Sequence, residues 1–169
     1  DAPQRTRGAR MSNPAFTIDQ HSTTDTVDLT ITIDAPRDVV FDFLTDPELA
    51  FRWMGEEGEI EARPGGTYRV RFTENDVAVG EFVVVDRPET VSWTWGWEGS
   101  DVIPPGSSLV TVELSEIAGQ TTVTLRHTGL PSAQDVEQHS IGWNDWGERL
   151  GAAATGGNPS ATDGREGSP

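Results

Sequence analysis

Apolar and polar residues alternate with a period of two through the middle of the chain and change to a three-and-four spacing near its end. In TVDLTITID, Val27, Leu29, Ile31 and Ile33 fall on one face, the pattern of a half-buried strand. Ala35-Pro36 ends it. Pro36 suits a first helical position, and Val39, Val40, Phe43 and Leu44 form a short amphipathic stripe behind it. Asp46-Pro47-Glu48 repeats that grammar, a capping residue followed by proline and an acid, and predicts a second short helix through LAFRWM.

After Gly55 the strand pattern returns. Residues 59–62 make a short strand, Pro64-Gly65-Gly66 a turn, and TYRVRFTE places Tyr68, Val70 and Phe72 opposite Arg69 and Arg71, which puts the arginines on the solvated face. VAVGEFVVVD carries apolar residues at both parities, so pattern alone does not assign its inner face. In TVSWTWGWE, Val91, Trp93, Trp95 and Trp97 share a face, and so many rings in a row demand cover from water. SLVTVELSE then groups Val110, Val112 and Leu114. A tight connection at Ala118-Gly119-Gln120 leads to TTVTLRHTGL, where Val123, Leu125 and His127 share a face.

The run from Pro131 to Ala154 is the longest helical pattern. Val136, His139, Trp143, Trp146, Leu150 and Ala153 form one stripe, Ser132 and Asp135 make a plausible start, and Thr155-Gly156-Gly157 with Pro159 a stop. After Leu150 the stripe fades into alanine and glycine, which predicts fraying and an opening to solvent there. Short sequential connections favour an antiparallel meander, and the terminal helix is the element long enough to cover its apolar face. The expected fold is therefore α+β: a curved antiparallel sheet of about six to seven strands wrapped around a long C-terminal helix, with two short helices after the first strand. Residues 1–25 lack periodicity and read as a disordered extension in which Met11 is a candidate translation start; 26–154 form the domain, and 155–169 a Gly/Ser/Thr/Pro-rich disordered tail.

Composition narrows the chemistry. The formal charge is −16, and all 12 basic residues are arginines. Such a surface repels phosphates, so nucleic acid is not an expected partner. The absence of cysteine removes disulfides, thiolate catalysis and Cys-ligated zinc, and no run is long enough for a membrane span or a signal peptide; the cytoplasm is the default location.

ITIDAPRDVVFDFLTDPELAFRWM, the Gly65-Gly66-Thr67-Tyr68-Arg69 turn and strand, Gly80-Glu81, the Arg87-Pro88-Glu89-Thr90-Val91-Ser92-Trp93-Thr94-Trp95 passage, GQTTVTLRHTGL and the late His139-x-x-Gly142-Trp143 occur in that order. Together, over about residues 26–150, they resemble the helix-grip SRPBCC (START-like) superfamily, and within it the bacterial homologues of the heat-shock-protein ATPase activator. The cluster of tryptophans at 93, 95 and 97 and the Gly/Ala-rich end of the last helix depart from that pattern. At superfamily level the resemblance implies a cavity between sheet and last helix that takes a small hydrophobic or aromatic ligand, without a cofactor. It also implies two alternatives: a cyclase- or aromatase-like enzyme using that cavity, and a co-chaperone-like module that regulates an ATPase.

No nucleophile elbow, phosphate loop or zinc-helix motif occurs. His127 faces the expected cavity by parity, where it is either satisfied by a neighbour or meets a ligand; His139 lies on the inner stripe of the last helix. A two-histidine metal site would need carboxylates that the pattern does not place, and no metal is expected. Either Glu81 or Glu113 could act as a general base if turned inward; His127 and Glu81 are the weak catalytic candidates. The tryptophans serve equally as plain core or as flat pocket walls with a polar edge. Tyr68, Phe72, Trp93, Trp95, His127 and Trp143 are the candidate ligand contacts, while Trp53 and Trp146 read as structural. The expected partner is a small hydrophobic or aromatic molecule, with a protein partner also open and the chain a monomer or homodimer.

Overall fold

A computed structural model describes residues 15–156. The elements are β1 (Phe16–Ser22), β2 (Thr26–Ile33), α1 (Arg37–Thr45), α2 (Pro47–Ala50), β3 (Glu57–Ile60), β4 (Thr67–Arg71), β5 (Val77–Asp86), β6 (Thr90–Trp95), β7 (Ser108–Ile117), β8 (Gln120–Thr128) and α3 (Ala133–Ala154). All strands join one antiparallel sheet in the order β1-β2-β8-β7-β6-β5-β4-β3. Among the described residues the one pairing between strands that are not neighbours in sequence is β2 with β8. It sets Val27 beside His127, Leu29 beside Leu125 and Ile31 beside Val123. The same rows continue across the sheet: His127 faces Val110, Val110 faces Trp93 and Trp93 faces Phe82. Period-two patterning on each strand thus becomes one apolar surface, and α3 packs on it.

The helices begin where the sequence signals them. Asp46 caps α2 by accepting from the Glu48 N–H, and Ser132 caps α3 by accepting from the Asp135 N–H while its own hydroxyl donates to the Asp135 carboxylate. Pro36 stands one position earlier than expected, as the residue before α1, and the buried side of α1 is Val40, Phe41 and Leu44. The ambiguity of β5 has a structural cause. Its pairing with β6 shifts between Phe82 and Val84, so Ala78 and Phe82 point inward before the bulge, whereas Val85 packs against the core after it.

The sheet has eight strands rather than six or seven, because the supposed N-terminal extension contributes β1. Phe16 and Ile18 lie half-buried opposite Ile33 and Ile31, whereas the rest of that strand is polar and mostly exposed. Two apolar residues on an edge strand leave too short an alternation to stand out from its polar flanks. Residues 1–14 and 157–169, which carry the remainder of the expected N-terminal extension and nearly all of the expected tail, lie outside the described residues.

The expected fraying of the last helix is also overturned: α3 runs unbroken to Ala154, with Leu150 and Ala153 buried. Its glycines there are contact points. A Cβ at Gly147 would lie 2.9 Å from Ile31 Cδ1 and 3.3 Å from Leu29 Cδ2, and one at Gly151 would overlap the Phe16 ring. Gln20 donates to the Ser140 carbonyl, and the Ser22 and Ser140 hydroxyls are 2.9 Å apart, so β1 is stitched to the helix along its length. If this packing governs, Gly151→Ala lowers stability by about 1–3 kcal/mol in urea denaturation although alanine is the better helix former. The loss should largely vanish in a Phe16→Ala background. A gain in stability on Gly151→Ala alone would show that β1 is not docked there.

Candidate functional site

The interior facing the first half of α3 is aromatic. Trp95, at the end of β6, lies 4.9 Å from Trp143 between ring centroids and 5.2 Å edge-to-face from Trp97. Trp143 continues to Trp146 at 5.2 Å, and Trp146 to Trp53 at 5.6 Å. Tyr68 stacks on Trp93 at 4.8 Å behind this chain of rings. The contiguity follows from two periods meeting: residues two apart share a strand face, and those three and four apart share a helix face.

Two histidines tie sheet and helix together through indole N–H groups. Trp143 Nε1 donates to His127 Nδ1 at 2.9 Å. An indole nitrogen can only donate, so Nδ1 carries no proton and the neutral ring bears it on Nε2. That N–H reaches Ser108 Oγ at 2.8 Å, and the serine hydroxyl donates onward to the Trp95 carbonyl at 2.9 Å. The second pair runs the other way. Trp97 Nε1 donates to His139 Nε2 at 3.0 Å, so His139 holds its proton on Nδ1 and gives it to the Asp135 carbonyl at 2.8 Å. Both rings are thus held neutral, in opposite tautomers, with centroids 5.2 Å apart. Burial, and to a lesser degree the neighbouring His139, push His127 down from 6.5 to about 3; burial also lowers His139, against the opposing pull of Asp135. The Trp93, Trp95 and Trp146 indole N–H groups have no hydrogen-bond partner among the described residues, although Trp95 and Trp146 each stand in edge-to-face ring contacts.

Outside this cluster lies a cavity of about 870 Å³. The rings bordering it are Trp53, Phe72, Trp95, Trp97, Trp143 and Trp146; Met54 and Gly55 close the α2 side, and Gln138, His139 and Gly142 form the helix wall. Phe72 and Trp97 are half-buried and offer most of the aromatic surface, whereas the other indoles form a floor. Charged groups stand at the mouth: Glu56, Asp76, Asp145 and Arg149. The arginine is braced, with Nε 3.1 Å from the Asp145 carboxylate and Nη1 donating to the Trp53 carbonyl at 3.2 Å.

Of the residues singled out from sequence, Phe72, Trp95 and Trp143 border the cavity together. Tyr68, Trp93 and His127 lie deeper and do not. Trp53 and Trp146, read as structural, do border it; Trp53 also donates from its indole to the Phe43 carbonyl. Trp146 carried a signal in its position three residues after Trp143 on the same stripe, but the approach of the α2–β3 segment, which brings Trp53, Gly55 and Glu56, did not show in the pattern. Glu81 is exposed, opposite Thr67 on the outer side of the sheet, and Glu113 is exposed as well, so neither reaches the cavity. Arg69 and Arg71 are on the outer face as expected, paired with Glu98 and Glu57. Among the described residues no cluster of three or more histidines, cysteines or carboxylates could hold a metal ion, and no helix is long and apolar enough to cross a membrane.

Because the folded state holds His127 neutral while the unfolded chain takes up a proton as pH falls through 6.5, stability contributed by this site is complete above that value and declines towards about 3. Between pH 7 and 5 the wild-type protein should lose about 2 kcal/mol more than His127→Gln, which keeps an acceptor but does not titrate. Urea midpoints of both proteins at the two pH values measure the difference. Equal slopes would mean that the ring is not held neutral.

No curated protein matches the chain. Among solved structures, the AHSA1-like protein of Rhizobium etli is 42% identical, with a TM-score of 0.66 over 81% of this chain and 86% of that one. DynU16, a protein of the dynemicin biosynthetic locus, is 28% identical with a TM-score of 0.70; the match covers 80% of this chain, which spans only 49% of the length of DynU16. The Aha1 dimer of Colwellia psychrerythraea, at 18% identity and a TM-score of 0.68 over 78% of this chain and 97% of that one, shares the fold. The family model described as activator of Hsp90 ATPase homolog 1-like protein matches residues 34–155, which contain both short helices, β3 to β8 and all of α3. With that match and the Rhizobium relative, the chain belongs to the family of activator of Hsp90 ATPase homolog 1-like proteins.

Proposed function

We propose that the protein binds a planar, largely apolar small molecule in the cavity between α3 and the Phe72–Trp97 wall. The observation that carries this is Gly142. A glycine inside a helix is about 1 kcal/mol less favourable than alanine, so its presence calls for a reason. Gly147 and Gly151 have one in the strands packed against them. Gly142 has none among the described residues: a Cβ there would meet none of their atoms within 4 Å. It is exposed on the helix wall of the cavity, where any side chain would project into the space. A bare helix surface facing half-buried rings is what a flat ligand needs, and apolar burial would supply most of the affinity. The likeness to DynU16, a protein of a biosynthetic locus, supports a small-molecule role for this fold.

Catalysis in the same cavity would need a group able to move a proton; His139, the imidazole on its wall, has both nitrogens engaged, which leaves that role to the carboxylates at the mouth. Regulation of an Hsp90-type ATPase, alone or as a homodimer, is a second reading that rests on the family description and on the dimeric Colwellia relative. It would depend on a surface rather than on the cavity. Gly142→Leu separates the two. This variant should gain about 0.5–1 kcal/mol in stability from helix propensity and lose binding of planar aromatic compounds in calorimetric titrations. An ATPase partner interaction would survive it. Failure of the wild-type protein to bind planar aromatics of any charge, or unchanged binding by Gly142→Leu, would overturn the proposal.

A further inference from the structure

Building on the cavity's role as a ligand site, we infer that its ligand is a cation: a planar aromatic or polycyclic molecule bearing a protonated or quaternary amine directed at the mouth. The charges around the opening are unequal. Glu56, Asp76 and Asp145 face a single guanidinium, that of Arg149, which already pairs with Asp145 and donates to the Trp53 carbonyl. Glu56 and Asp76 make no ion pair among the described residues, and both are exposed. Asp76 is held in place by the Thr73 hydroxyl, which donates to its carboxylate at 2.7 Å. The neighbouring imidazole adds no positive charge, because His139 accepts the Trp97 indole N–H and burial opposes its protonation.

The walls favour the same sign. Aromatic faces carry the negative end of the ring quadrupole and attract ammonium groups, most strongly those of tryptophan. Phe72 and Trp97 supply that surface within the cavity whose mouth holds the carboxylates. The chain as a whole carries −16, so the long-range field draws cations in and turns anions away. An anionic ligand would have to approach two carboxylates that have no ion pair among the described residues and displace Asp145 from Arg149. A neutral one would gain from burial alone.

Three ligands sharing one ring system separate these outcomes: (2-naphthylmethyl)trimethylammonium, 2-naphthylmethanol and 2-naphthylacetate, titrated by calorimetry into the full chain at low and high salt. The ammonium should bind at least about tenfold tighter than the alcohol at low salt, with the acetate weakest, and added salt should narrow the order. In the Glu56→Gln, Asp76→Asn double variant the preference for the ammonium over the alcohol should fall to less than about threefold. Thermal melting of that variant checks that the fold is intact. Equal binding of ammonium and alcohol, or tighter binding of the acetate, would overturn the cation preference and leave the cavity as a ligand site. If neither these three nor any other planar aromatic binds, both proposals fall.

Discussion

The structure depends on the unequal thickness of one helix. Along α3 the residues that meet the sheet change from His139, Trp143 and Trp146 to Gly147, Leu150, Gly151 and Ala153. Where the residues are small, β1 and β2 come into direct contact with the helix, and Ile31, Leu29, Ile18 and Phe16 occupy the room the glycines leave. Where they are large, the rings hold β4, β6 and the α2–β3 segment away. A single sheet closing on such a helix is tight at one end and propped apart at the other. The cavity lies at the propped end, and Gly142 keeps its helix side clear.

Aromatic bulk alone would leave the helix free to rotate on the sheet, since apolar contact is non-directional. The two indole–imidazole bonds remove that freedom. One runs from the helix to β8 and the other from the segment after β6 to the helix, so α3 is tied to the sheet side at two positions one turn apart. Burying two imidazoles is tolerable because every ring nitrogen has a partner and neither ring is charged. The histidines thus serve first as hydrogen-bond acceptors that orient the helix, and their depressed proton affinity is a consequence of that role.

Fold and family do not by themselves fix what the cavity does, since one scaffold carries many activities. What bears on the cavity is local: half-buried rings at Phe72 and Trp97, a bare Gly142 opposite them, and carboxylates in excess of guanidinium at the mouth among the described residues. Each belongs to a different element, respectively the end of β4, the segment after β6, the middle of α3 and the two loops that flank β3 and β4. Changes at those positions would retune the site without touching the β2–β8 closure or the tight end of α3.

The sequence by itself determined the periodic part of this protein, namely that strands run between Thr26 and Thr128, that two short helices follow the first of them and that α3 has a capped start, because side-chain period and capping chemistry are local properties; α2 nevertheless stops at Ala50 rather than Met54, and β3 is Glu57–Ile60 rather than 59–62. Tertiary structure decided what depends on partners far along the chain. Phe16–Ser22 is a strand because β2 and the glycines of α3 receive it. The glycine-rich helix end is closed rather than frayed for the same reason. His127 sits behind the cavity because Trp143 and Ser108 occupy both its nitrogens, whereas Trp53 and Trp146 border the opening because the α2–β3 segment folds over it. A single strand or helix shows which face is buried; how deep each residue lies on that face is set by the element that covers it.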